Sequence, residues 1–127
     1  MSEIYRSEEV GEIIKALSKF QGVVPTIEKT KTVNMKTKAG YTIKYNYADI
    51  ADVMKMIRKP LSENGLFVSH SIQITKEGRD ITTTVFHESG QWLKSSMILE
   101  HTNDEKSLGS KITYYRRYSL ASLLGLV

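Results

Sequence analysis

The chain has no cysteine among its 127 residues, which excludes disulfides, thiolate catalysis and cysteine–zinc sites. Proline is scarce, with only Pro25 and Pro60, and no apolar run approaches the roughly 18 residues that a membrane span needs. The N-terminus shows no apolar signal-peptide segment. These absences predict a single domain over residues 1–127 that works in a reducing, cytoplasmic compartment without contacting a membrane.

Catalytic groups are also few. Asp49 and Asp52 share one helical turn, but a helix N-terminus explains both carboxylates without catalysis. Residues 109–111 only superficially resemble a phosphate loop, because the required upstream glycine is absent. The histidines are scattered without metal-ligand spacing, at positions His70, His87 and His101. We therefore expect no enzyme activity, no metal and no cofactor, and we expect His70 to be a hydrogen-bonded core residue.

The basic residues that are present fall into two stretches. Residues 21–60 carry a net charge of +5 and residues 106–127 carry +4, whereas residues 61–105 carry −4 and residues 1–20 carry −1. If folding brings the two basic stretches together, they form a groove for a polyanion. The alternative is that each charge run is simply a solvated face.

Hydrophobic periodicity predicts an α+β fold. Helices are expected over residues 7–20, 47–64 and 107–125, and strands over residues 30–34, 41–45, 66–74, 80–87 and 91–99. The short connections among the last three strands predict an antiparallel three-stranded meander with packed helices, and the first two strands form an additional β-hairpin.

The hairpin region, residues 26–46, is polar, basic and aromatic. It has few strongly apolar residues, so it cannot bury much surface. We expect it to be an exposed flap that contacts nucleic acid, and the alternative is a polar edge hairpin with solubilising lysines. Its candidate DNA-binding residues are Lys29, Lys31, Lys36, Lys38, Lys44 and Tyr45.

The last predicted helix carries the strongest candidate site. Residues 110–118 hold three cations, two hydroxyls and three aromatic rings, and arginine and tyrosine suit phosphates and bases respectively. The alternative is that the tyrosines are core and the arginines lie along the surface or form ion pairs. The candidates are Lys111, Thr113, Tyr114, Arg116 and Arg117.

The apolar residues of this helix nearly encircle it, so we expect one surface to face another subunit. At 100° per residue one apolar face is predicted, and Leu120 and Leu124 are expected to lie off it. That face is formed by Leu108, Ile112, Tyr115, Leu123 and Leu126.

Three blocks of the chain resemble the ERF superfamily of phage single-strand annealing proteins. They are residues 47–66, the strand meander ending near Trp92, and, most specifically, residues 109–125. The resemblance implies ATP-independent binding of single-stranded DNA and annealing of complementary strands through an annealed duplex intermediate. It also implies a fold similar to the core of eukaryotic strand-annealing recombination mediators, assembled as a homo-oligomeric ring or helical filament.

By this resemblance, Arg116 and Arg117 match the basic pair on the groove-lining helix, and residues 26–46 form the other groove wall. Lys111 and Tyr115 depart from the family pattern, in which alanine is usual at both positions. The family implies action in the cytoplasm of a phage-infected or prophage-bearing bacterium. It further implies recruitment by a single-strand-binding protein through a C-terminal tail that this chain is expected to lack.

Two other functions stay open at this stage. A protein-interaction module would dock through the apolar last helix, bind in a salt-insensitive way and ignore oligonucleotides. A nuclease would need a metal site or an acid–base cluster, which the sequence does not offer.

Overall fold

The computed structural model describes residues 5–26, 28–29, 31–47, 49–76, 78–101 and 103–126. Thr30 and Glu77, which belong to a predicted strand and a predicted turn, lie outside the described residues. In chain order the elements are α1 (Gly11–Val23), β1 (Lys31–Lys36), β2 (Thr42–Tyr47), α2 (Ile50–Glu63), β3 (Leu66–Thr75), β4 (Gly78–His87), β5 (Trp92–Leu99) and α3 (Glu105–Leu124). The predicted α+β fold is confirmed.

The strands form an antiparallel sheet in the order β3-β4-β5 and a separate antiparallel hairpin of β1 and β2. Because side chains alternate along a strand, each face of the three-stranded sheet has its own residues. The face that carries Leu66 and Val85 packs on the helices and forms the core. The helices contribute Ile13, Ala16, Phe20, Val53, Ile57, Leu61, Leu120 and Leu124 to this core.

Polar contacts set where the helices begin. Asp49 caps α2 by accepting a hydrogen bond from the Asp52 amide at 2.8 Å, which confirms the structural explanation for this pair. Asp104 caps α3 by accepting from the Lys106 amide, so this helix begins two residues earlier than predicted. The Gln91 carboxamide oxygen accepts from the amides of Glu12 and Ile13 at 2.8 and 2.9 Å, at the start of α1.

The residues just before α1 are extended rather than helical, which corrects the predicted start of that helix. Arg6 forms an isolated antiparallel bridge with Leu93 on β5. The Ser7 amide donates to the Trp92 carbonyl at 2.9 Å, and the Lys94 amide donates to the Tyr5 carbonyl at 2.8 Å. These backbone bonds hold residues 5–7 along the outer edge of β5, where helix formation would break them.

The helix α3 is buried on more than one side, as expected. Leu120 and Leu124, which lie off the predicted apolar face, are fully buried in the core, and Leu123 and Leu126 of that face pack against the core. Leu108 and Ile112 are only half-buried, whereas polar Ser119 is nearly fully buried. A pattern of apolar residues alone does not show which residues are buried most deeply.

Candidate nucleic-acid interface

The cationic residues of α3 point in different directions because successive residues on a helix are about 100° apart. Arg116 is half-buried on the side facing the sheet. Arg117 lies on the flank beside Tyr114. Lys111 lies elsewhere, and its ammonium is 3.6 Å from the Glu100 carboxylate. The structure thus separates three cations that the sequence placed in one site.

Arg116 lines a cleft of about 310 Å³ between α3 and the second half of β3. The other lining residues are His70, Ser71, Ile72, Ile81 and Ile112. Within the described part of the chain, Arg116 Nε and His70 Nε2 are both buried and have no hydrogen-bond partner. Both atoms are closed off from solvent in this arrangement, so they are not themselves positions at which a ligand binds.

The other ring nitrogen of His70 has a hydrogen-bond partner. Its Nδ1 atom lies 2.8 Å from the hydroxyl oxygen of Thr83, a fully buried residue on β4. Burial, and secondly the positive charge of Arg116, lower the pKa of His70 from 6.5 to about 4. His70 is therefore neutral near pH 7, and the permanent positive charge of the cleft comes from the Arg116 guanidinium.

A strip of exposed tyrosines runs along α3 on the side away from this cleft, because Tyr114 and Tyr118 each lie two residues, about 200° of helical rotation, from Arg116. Tyr114 and Tyr118 are 50% and 56% exposed, and their rings stack with centroids 6.0 Å apart. The Arg117 guanidinium carbon lies 5.7 Å from the Tyr114 ring centroid, a cation–π arrangement. Tyr115 meets Tyr114 edge-on at 5.7 Å. The strip presents aromatic faces and a cation together, which suits nucleobases and phosphates.

Two predicted members of the site have local partners instead. The Thr113 hydroxyl donates to the Gly109 carbonyl at 3.0 Å, one turn earlier in α3. Lys111 is engaged by Glu100, as described above. The structure therefore places Arg117 and Tyr114 on a common surface, whereas Arg116, Lys111 and Thr113 each have other surroundings.

The hairpin lysines lie on a separate element. Lys29, Lys36, Lys38 and Lys44 are exposed, and Lys31 lies 4.0 Å from the Asp49 carboxylate that caps α2. The Tyr45 side chain lies outside the described part. Among the described residues the hairpin packs extensively against neither α3 nor the three-stranded sheet. A groove between the hairpin and α3 therefore stays a prediction.

Sequence reasoning missed the position of His70 in the cleft. It did predict that His70 is a hydrogen-bonded core residue, and the partner in the structure is Thr83. Two signals could have found it. Strand alternation places His70 on the helix-facing side of β3 together with Ile72. Arg116 follows Ile112 by one helical turn, so these two residues share a side of α3.

Other kinds of site receive no support from the described residues. They contain no group of three or more histidine, aspartate or glutamate side chains able to hold a metal ion. None of the helices in the described part is long and apolar enough to cross a membrane.

Comparison with known proteins gives one match. A family model described as the ERF superfamily matches residues 13–127, which is nearly the whole chain. Searches of curated proteins and of solved structures gave no match.

Proposed function

The chain belongs to the ERF superfamily of phage single-strand annealing proteins, and we propose that it binds single-stranded DNA and anneals complementary strands without ATP. The observation that carries this proposal is the α3 surface on which Arg117 lies against the stacked Tyr114 and Tyr118, with Arg116 lining the cleft on the sheet side of the same helix. A guanidinium suits a phosphate, and the exposed aromatic faces of the same helix suit bases.

The cleft supports a backbone-directed mode of binding. Arg116 would pair with one phosphate inside the cleft, while Arg117 on the flank would contact the next one. Because the two side chains diverge by about 100°, they would not grip a single phosphate. Such contacts do not read base identity, so binding would tolerate any sequence and weaken with salt.

Annealing requires no catalytic group in this scheme. Basic side chains neutralise the phosphates of one strand, which lowers its repulsion from a second strand. Bases that rest against tyrosine faces are unpaired and accessible to a complement. The protein would act on DNA in the cytoplasm of a phage-infected or prophage-bearing bacterium. The active form would be a homo-oligomeric ring or filament. Recruitment by a single-strand-binding protein also belongs to this proposal.

The burial pattern of α3 weighs against a protein-interaction module. Leu120 and Leu124 are buried in the core of the chain itself, so a partner cannot contact them. The exposed large side chains of this helix are Tyr114 and Tyr118. Together with Arg117 they offer stacking faces and a cation, which a nucleic-acid partner uses.

A strand-annealing assay tests the proposal. Two complementary oligonucleotides, each carrying one member of a fluorescent pair, are mixed at low salt with the full chain and without nucleotide or magnesium. We expect faster annealing than in buffer and a rise in oligonucleotide anisotropy on binding. Equal annealing rates with and without the protein, together with unchanged anisotropy, would refute it.

A further inference from the structure

The aromatic residues of this chain lie mostly outside its core. Among the described side chains, Phe20 is the only buried aromatic, and the others are half-buried or exposed. Three of them, Phe67, Phe86 and Trp92, lie on the open face of the three-stranded sheet, opposite the helices. This face is separate from the cleft on α3, because alternate residues of a strand point to opposite sides.

These three residues form one row across the sheet. Phe67 on β3 is directly opposite Phe86 on β4, which is in turn opposite Trp92 on β5. The Phe67 and Phe86 rings stack with centroids 4.9 Å apart and planes inclined by 16°. Phe67 is nevertheless 58% exposed. A row of aromatic rings left open to solvent marks a binding surface more often than a lone exposed side chain does.

Cations lie at both ends of the aromatic row. The Lys94 ammonium lies 5.5 Å from the Trp92 ring centroid. At the other end, Arg58 of α2 lines the same cleft as Phe67, and Glu88 lines it too. Rings flanked by positive groups suit a polymer with flat bases and a phosphate backbone.

The two rows next to the aromatic row are polar, and the far row carries Asp80 and the exposed Ile98. The next rows carry Ser69 and Thr84, then Thr82 and Ser96, whose hydroxyl oxygens lie 2.9 Å apart. A second copy of a protein usually packs on a larger and more apolar area than one aromatic row. The combination of aromatics, cations and hydroxyls therefore favours nucleic acid over a second copy.

We propose that the aromatic row Phe67–Phe86–Trp92 is a second contact site for single-stranded DNA, which holds bases by stacking. The proposal rests on the proposed function, since it adds a site for the same polymer. Because the aromatic row lies on the face of the sheet opposite α3, it would hold a different stretch of the strand from the one held at α3.

Trp92 is the only tryptophan in the chain, so its fluorescence reports on this face alone. The full chain is titrated with a short labelled thymidine oligonucleotide, and tryptophan emission and oligonucleotide anisotropy are recorded together. We expect emission to be quenched with the same midpoint as the anisotropy. We also expect Phe67→Ala to weaken binding about tenfold, the effect of losing one stacked base.

Ile98→Ala is the matched control. Ile98 is on the same face and 70% exposed, but it is six residues along β5 from Trp92, about 20 Å away. Its removal should leave both signals unchanged. Circular dichroism of Phe67→Ala confirms the fold, which an exposed side chain should not alter.

The outcomes separate this proposal from the proposed function. Binding with unchanged Trp92 emission, or with full affinity in Phe67→Ala, would overturn the second site and leave the α3 cleft standing. A Phe67→Ala variant with lower native mass and unchanged affinity would overturn it in favour of a contact between copies. If the unaltered chain binds no oligonucleotide, both proposals fail.

Discussion

Arg116 and Arg117 are neighbours in sequence but differ in surroundings. Arg116 is half-buried beside His70, and its Nε lacks a partner within the described part of the chain. Arg117 lies against the Tyr114 ring on the flank of α3. Each residue therefore has its own role in the proposed interface, with Arg116 inside the cleft and Arg117 at its border.

Arg117→Ala should weaken oligonucleotide binding more than Lys111→Ala. Both substitutions remove one positive charge from α3, but Arg117 lies against the Tyr114 ring in the proposed interface, whereas Lys111 lies beside Glu100. We expect a loss of about 1.5–3 kcal/mol for Arg117, typical of a hydrogen bond to a charged group, and under 1 kcal/mol for Lys111. Fluorescence anisotropy at one low salt concentration measures the difference, and a reversed order would contradict the assigned geometry.

The lowered pKa of His70 predicts how stability depends on pH. The folded value of about 4 lies below the unfolded value of 6.5, so the unfolded chain binds the proton more readily. The stabilisation from neutral His70 is thus fully present above pH 6.5 and is lost as the pH falls towards 4. Urea unfolding across this range should show a smaller loss for His70→Gln, which has no titrating group. A ring titration by NMR with a midpoint near 6.5 would contradict the prediction.

Among the elements, α3 shows most clearly what a sequence pattern can and cannot predict. Its existence and extent followed from spacing, and its cap at Asp104 moved the start by only two residues. Which of its residues are buried most deeply did not follow, because polar Ser119 is among them while Tyr114 and Tyr118 are exposed. The tertiary contact with the sheet, rather than local apolarity, decides which side is buried.

Leu120→Ala should therefore destabilise the fold by about 2–5 kcal/mol, the usual cost of such a cavity. Leu120 is fully buried, whereas Leu108 on the sequence-predicted face is only half-buried. Leu108→Ala should cost less than half as much. Chemical denaturation of both variants checks this, and equal losses would show that Leu108 packs as tightly as Leu120.

The hairpin is expected to contribute to binding and little to stability. Replacing Lys36, Lys38 and Lys44 together by alanine should reduce the salt slope of oligonucleotide binding by about 2, since each phosphate contact contributes about 0.7. These lysines are exposed, so the melting temperature should hardly change. The matched control removes the same charge from α1 and α2 by replacing Lys15, Lys19 and Lys55. Equal effects of the two triple variants would show that the hairpin has no special role.

For the molecule as a whole, the sequence predicted the meander, the hairpin and three helices because their periodicities are strong and their turns short. It could not predict the cleft, because His70 and Arg116 lie 46 positions apart and meet only when α3 packs on β3. It also did not find the aromatic row, since Phe67, Phe86 and Trp92 align only through strand register. Both surfaces arise from tertiary pairing.

The central claim is that Arg116 and Arg117 hold single-stranded DNA through its phosphates. The most direct test is the salt dependence of oligonucleotide binding by the unaltered chain and by the Arg116→Ala/Arg117→Ala double variant. The account predicts weaker binding and a slope lower by about 1.4 for the double variant. A double variant that binds and anneals like the unaltered chain would contradict it.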